Sequence, residues 1–217
     1  MLTHDAWSAV GGLAHGFLDR TDSEGERWEA IVVRLGAPCP LALPRQVHGI
    51  RVEDGVAGAR PEADALVARR PGLLVGVVTA DCVPVLLVDR DARTAAAVHA
   101  GWRGMAAGVL ETALAALSSA RIEALIGPAI GGCCYEVGDE VRAAFRARTG
   151  SVTAAAWTIH GGRTHVDLRT AARLLLESGG AASVQTLGPC TRCDSRYHSF
   201  RRDGARTGRQ LSFVGWA

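Results

Sequence analysis

The stretch Leu73 to Val88 constrains the fold of this chain more than any other. This apolar run of 16 residues is broken by Asp81 and Pro84, so it is too short and too polar at its centre to cross a bilayer. It belongs in a core. Its first half, Leu73 to Val78, is rich in Val and Leu without alternation, which predicts a strand covered on both faces. Asp81 and Cys82 follow just beyond the end of that strand, Pro84 is expected to interrupt pairing, and a second buried strand is expected over Val85 to Val88.

The remaining pattern alternates strands with helices. Around Leu41 to Val52, residues Gln46, His48, Ile50 and Val52 recur at a period of two, which predicts extended structure with His48 on the apolar face. Thr94 to Val98 reads as a strand ending in His-Ala-Gly-Trp-Arg-Gly, and Met105 to Ala120 has helical periodicity. Ile122 to Ile126 predicts a short strand, and Asp139 is placed to cap a helix running to about Arg148 and stopped by Gly150. Trp157 to Val166 reads as a hairpin over Gly161-Gly162. Asp167 caps a further helix that ends near Gly179, and Gln210 to Val214 is the last strand. Hairpins and strand–helix alternation together predict a mixed α/β (α+β) fold, with mixed β-sheets flanked by helices in one compact domain over residues 1–217. No repeat or Pro/Ser linker suggests a cut.

Composition narrows the chemistry. The 217 residues suffice to bury roughly 70% of the unfolded chain's surface, and the net charge of +2 is too small for a nucleic-acid footprint. A small-molecule partner is expected, with neither nucleic acid nor membrane. All 24 basic residues are arginine. Without lysine, Schiff-base chemistry and a Walker-type phosphate lysine are impossible, and cationic work falls to arginine, imidazolium, a metal or a helix terminus. The N-terminus lacks a basic segment followed by an apolar one, so no secretory signal is read and a cytoplasmic location is expected. The six cysteines are accordingly expected as thiols or ligands rather than disulfides.

His48, Cys82 and His99 each close an apolar segment and together supply two imidazoles and a thiol. Catalytic zinc keeps three protein ligands and leaves one position open, whereas structural zinc takes four. The separations match no local metal motif, and a cysteine at a strand end is commonly a packed core residue. Asp81 is a candidate for capping a turn, holding a ligand histidine, or moving a proton. Arg103 lies at the start of a helix, where an anion would be favoured; with Arg45 and Arg202 it makes up the candidate substrate or phosphate contacts. Cys133-Cys134 and Cys190-x-x-Cys193 offer a second, four-thiol set, although one CxxC is a weak signal and adjacent cysteines seldom chelate one ion well.

The ordered segments QVHG, DALV, TADCVPVLLVD, VHAGWRG, IGPAIGGCCYEVG, CTRCDSRYHSFRRDG and TGRQLSF resemble the laccase-domain family, also called the polyphenol oxidase or peptidoglycan editing factor family. The resemblance covers residues from about 45 to 214 and implies a mixed α/β domain with zinc on His48, Cys82 and His99, single-copper occupancy in vitro being an alternative. It implies a purine nucleoside enzyme that phosphorolyses adenosine, inosine and methylthioadenosine and deaminates adenosine. An alternative implied activity removes a misplaced serine from a peptidoglycan precursor. Multicopper oxidation does not fit, because that chemistry needs paired His-x-His ligands and none of the seven histidines is so paired. The chain departs from the family pattern after HGF, where LDRTDSEGERWEAIVV is short and lacks asparagine, Arg20 being the residue that matches the family's arginine there. It departs again at His198, in a place usually aromatic. Read without the resemblance, Cys82 with His99 as its base would be a cysteine hydrolase, and zinc used only as a brace would make a non-enzymatic protein.

Overall fold

The computed structural model describes residues 1–23, 27–37 and 39–217. Its strands, in chain order, are β1 (Leu13–Phe17), β2 (Leu41–Ala42), β3 (Val52–Asp54), β4 (Ala65–Ala68), β5 (Leu73–Thr79), β6 (Val83–Asp89), β7 (Thr94–Ala100), β8 (Glu123–Ile126), β9 (Trp157–His160), β10 (Arg163–Val166), β11 (Ser183–Thr186) and β12 (Gln210–Trp216). The helices are α1 (Asp5–Ser8), α2 (Arg20–Ser23), α3 (Trp28–Arg34), α4 (Trp102–Ala107), α5 (Val109–Leu117), α6 (Asp139–Thr149), α7 (Leu168–Ser178) and α8 (Phe200–Asp203).

A four-stranded sheet in the order β1-β12-β5-β2 faces a six-stranded sheet in the order β11-β8-β6-β7-β4-β3. Both are mixed: β2–β5, β3–β4 and β8–β11 pair in parallel, and the other pairs within them are antiparallel. Alternation along the strands builds the layers. Val75, Val77, Val214 and Trp216 from the smaller sheet meet Leu66, Leu86, Val88, Ala95 and Ala97 from the larger one. On the outer face of the larger sheet, Val83, Val85, Leu87, Ala96 and Val98 pack against α5, α6 and α7 through Leu110, Phe145 and Leu176. On the outer face of the smaller sheet, Leu74, Leu211 and Phe213 are covered by Ile31 and Val32 of α3. The result is a helix–sheet–sheet–helix stack in one compact domain, and both sheets are covered twice. That double cover explains why β5 and β6 read as unbroken apolar runs. Among the described residues no helix is long and apolar enough to cross a membrane.

Several expectations hold in detail. The Gly161-Gly162 turn has φ of 57° and 78°, the double positive φ that a two-residue hairpin requires. Asp167 accepts from the N–H groups of Arg169 and Thr170 at the start of α7. All six cysteines are free thiols.

Others are corrected. Residues 43–51 form a loop rather than a strand: His48 has φ +60°, and Ile50 is 43% exposed. Pro84 sits within β6 opposite His99, and its carbonyl accepts from Gly127 N–H. Pairing of β6 with β8 begins only at Val85, so the donor that proline lacks falls at the end of that ladder. The helix expected over 105–120 starts at Trp102 and breaks at Gly108, whose φ of 107° a side chain would resist; Ser118, also left-handed, then ends α5. Gly138, not Asp139, caps α6, and Asp139 instead lies in its first turn, where the helix dipole favours an acid.

Candidate active site

Strand register assembles the site. β7 is paired with both β6 and β4, with Pro84 opposite His99 and Ala65 opposite Val98. Continuing the first register by two residues and the second by one brings Cys82 beside Gly101 and Asp64 beside His99. The His48 loop is then folded onto this edge by a carboxylate. Asp64, fully buried, accepts from the backbone N–H of Val47 at 3.3 Å, His48 at 2.9 Å and Gly49 at 2.7 Å, and pairs with His99 Nδ1 at 2.7 Å. One side chain thus shapes the loop that carries one histidine and orients the ring of another.

His48, Cys82 and His99 converge, with their potential ligand atoms within 4.8 Å of one another. Cys82 Sγ lies 3.9 Å from His48 Nε2, close to the ~3.6 Å separation that tetrahedral zinc with normal Zn–S and Zn–N bonds requires. The two rings meet edge to face with centroids 4.8 Å apart. Because Nδ1 of His99 is engaged by Asp64, its Nε2 is the nitrogen left for an ion. The donor set therefore suits a borderline-soft divalent metal such as zinc.

Without an ion the three groups polarise each other. Burial opposes ionisation of Cys82, but hydrogen bonds from His48 and His99 and their charges outweigh it and bring its pKa down to about 6. Burial likewise opposes the His99 imidazolium, yet Asp64 and Cys82 push its pKa up to about 9. Asp64 is held below its usual carboxylate value; burial works against this, and the His99 and loop N–H bonds prevail.

Close approach explains the glycines of HAGWRG. A Cβ on Gly101 would stand 3.0 Å from His48 and 3.2 Å from Cys82 Sγ, and one on Gly104 would stand 2.7 Å from the backbone oxygen of Gly49. The bare backbone at these two positions lets α4 pack closely under the trio.

The trio opens into a cleft of about 650 Å³, within the range of small-molecule sites. Trp102, Tyr135 and Phe200 place three rings in its wall, and Arg45, Arg60, Arg103, Arg201 and Arg209 make it cationic. Arg103 lies over the Trp102 ring at 4.4 Å, Arg201 lies 5.0 Å from the Tyr135 centroid, and Arg45 pairs with Glu62. Arg202 does not line the cleft. Its guanidinium donates to the carbonyls of Thr191, Arg192, Asp194 and Tyr197 and pairs with Asp203, so the cleft arginine of the RRDG turn is Arg201. Arg20 joins this clamp through Asp203 and the Tyr197 carbonyl, while residues 24–26 of the departing segment lie outside the described residues.

Asp81 lines the cleft with φ +86°, and its two oxygens accept from Thr191 Oγ1 and Arg201 N–H. The carboxylate that orients a histidine is Asp64, which the sequence reading missed. Its signal was available: an acidic residue at the head of an apolar strand, where a ligand histidine needs a partner. His198 donates its backbone N–H to Gln210, with its ring packed where a Cβ on Gly208 would fall.

Comparison with known proteins shows the family. A family model described as multi-copper polyphenol oxidoreductase laccase matches residues 12–217. A Deinococcus radiodurans protein named purine nucleoside phosphorylase is 39% identical over 91% of this chain and 80% of its own length. A protein of an unknown prokaryotic organism, named adenosine deaminase RL5, is 37% identical over 80% of this chain and 74% of its own. A crystal structure from Neisseria meningitidis superposes with a TM-score of 0.83 at 33% identity, covering 97% of this chain and 96% of that one. With a match over nearly its whole length and relatives well above 30% identity, the chain belongs to this laccase-like family, whose compared members include proteins named as purine nucleoside enzymes.

Proposed function

We propose that the chain is a zinc-dependent purine nucleoside enzyme, phosphorolysing adenosine, inosine and S-methyl-5'-thioadenosine and deaminating adenosine. The observation that carries this reading is the cleft itself, where an open two-histidine, one-thiol centre faces three aromatic rings and a set of arginines. The relatives' names point the same way. His48, Cys82 and His99 would hold the ion. Zinc, when bound, supplies Lewis acidity and brings the pKa of water to about 7.

The rest falls to the chain's own groups. A flat purine suits the ring walls of Trp102, Tyr135 and Phe200. Phosphate suits Arg103 with Arg45 or Arg201, which answers the absence of lysine. Asp81, a carboxylate in the cleft lining with both oxygens engaged by Thr191 and Arg201, positions the cleft wall. Asp64 keeps His99 in one tautomer. Turnover of adenosine with phosphate, followed by mass spectrometry before and after chelation, tests the reading. Zinc-dependent adenine or inosine is expected; serine release from a cell-wall precursor, with no nucleoside turnover, would replace it.

A second reading has its own observation. Asp64, His99 and Cys82 form a carboxylate–imidazole–thiol series with a thiol pKa near 6, the arrangement of a cysteine hydrolase. Activity that survives chelation and is abolished by alkylating Cys82 would favour it over the zinc enzyme.

A further inference from the structure

The connection from β11 to β12, residues 187–209, is long and carries only short helices. None of residues 188–209 joins the three hydrophobic cores. Yet this segment forms one wall of the cleft, through Phe200, Arg201 and Arg209. Loops of this length without core contacts need another fastening. The Arg202 clamp supplies one. A second lies where the segment meets residues 131–134.

There Cys133, Cys134, Cys190 and Cys193 converge, with all four sulfurs within 4.8 Å of one another. Cys133 Sγ is 3.6 Å from Cys134 Sγ and 3.8 Å from Cys193 Sγ, and Cys134 Sγ is 3.3 Å from Cys193 Sγ. Four thiolates around one tetrahedral zinc at a Zn–S distance of about 2.3 Å stand about 3.8 Å apart. Adjacent cysteines are poor chelators in extended chain, where their side chains diverge. Here they lie on a turn, with Cys134 and Tyr135 N–H both bonded to Gly131 O, and the turn brings both sulfurs to one side. Cys190 and Cys193 sit on a matching turn, with Cys193 and Asp194 N–H bonded to Cys190 O. The two turns are tied by Thr191 N–H to Ala129 O and by Gly131 N–H to Cys190 Sγ at 3.2 Å. Arg192 Nη1, 3.4 Å from Cys134 Sγ, offers positive charge to a tetrathiolate centre that would carry net negative charge.

We propose that these four cysteines form a second, structural zinc site, separate from the His48–Cys82–His99 centre and closed to substrate by its fourth thiolate. The ion joins residues 131–134 to 190–193. Tyr135 follows Cys134 directly, and Thr191, which follows Cys190, holds Asp81. A zinc pin here therefore sets the cleft wall without touching its contents.

Metal counting on the full-length chain, purified under reducing conditions and loaded with Zn2+, tests this. Two zinc ions per chain are expected by native mass spectrometry. His99→Ala should retain one, held by the four thiols, and Cys190→Ser with Cys193→Ser should also retain one, at the other centre. In the loaded wild-type chain Cys133 and Cys193, although exposed, should resist alkylation until zinc is stripped; this readout needs no variant to fold. Replacement by Co2+ in His99→Ala should give the intense visible bands of tetrahedral tetrathiolate cobalt. A single zinc in the wild type that is lost entirely in His99→Ala would overturn the proposal. So would a freely alkylated quartet in loaded protein, or a mass showing the quartet oxidised to disulfides after reducing purification.

Discussion

Asp64→Asn is the most informative single change. The carboxylate is fully buried and takes bonds from both sides: His48 N–H and His99 on Oδ1, Gly49 and Val47 N–H on Oδ2. Asparagine keeps the shape but turns one oxygen into a donor, so its NH2 group faces the Val47 and Gly49 N–H donors in one orientation, and in the other the His48 N–H together with a His99 Nδ1 that must give up its proton to accept. A buried donor without an acceptor costs about 1–3 kcal/mol. The Val47 bond is already long at 3.3 Å, which brings the expected loss of stability to about 2–4 kcal/mol. Removing the partner of a ligand histidine lowers metal affinity about 10–100-fold, or about 1.4–2.7 kcal/mol. Urea unfolding of the zinc-free chain reads the first quantity, and zinc titration against a competing chelator reads the second. Asp81→Asn is the control: it disturbs Thr191 and Arg201 and should lower stability while leaving zinc affinity at the His48–Cys82–His99 centre nearly unchanged. If Asp64→Asn bound zinc there within about threefold of wild type, the argument that this carboxylate builds the centre would be refuted.

Gly101→Ala should fold, since its φ of −69° suits alanine, but should lower zinc affinity about tenfold or more by pressing on His48 and Cys82, as read by the same titration. Gly104→Ala meets backbone at Gly49 rather than a mobile side chain, so a destabilisation of about 1–3 kcal/mol is expected in urea unfolding. His15 is buried, its Nε2 accepts from His4 N–H, and burial, with a smaller contribution from His4, lowers its pKa from 6.5 to about 4. The native state therefore binds fewer protons there than the unfolded chain. This contribution of about 3 kcal/mol is present above pH 6.5 and is lost as pH falls toward 4. Urea midpoints across that window should fall less steeply in His15→Gln, which keeps an acceptor for His4.

Local pattern carried much of the fold. β5, β7 and β8, the Gly161-Gly162 hairpin, the Asp167 cap and α7 all follow from periodicity and from turn or cap chemistry, which act over a few residues. Where local pattern misled, a tertiary contact had overridden it. The period-two apolar positions around His48 suggested a strand, but three N–H groups there are taken by Asp64, and the backbone coils around that carboxylate instead. Arg201 and Arg202 are indistinguishable in sequence; one faces the cleft and the other fastens four carbonyls because the Phe200–Asp203 turn points them apart.

By itself, then, the sequence determined which residues have ligand chemistry, which segments must be buried and that no lysine takes part, because those are properties of side chains and of short-range periodicity. Only the tertiary structure decided which of them meet. Asp64 joins His99 through the β4–β7 register, and Cys133 and Cys134 join Cys190 and Cys193 where two distant turns touch, since proximity across the chain is set by strand order and packing rather than by spacing.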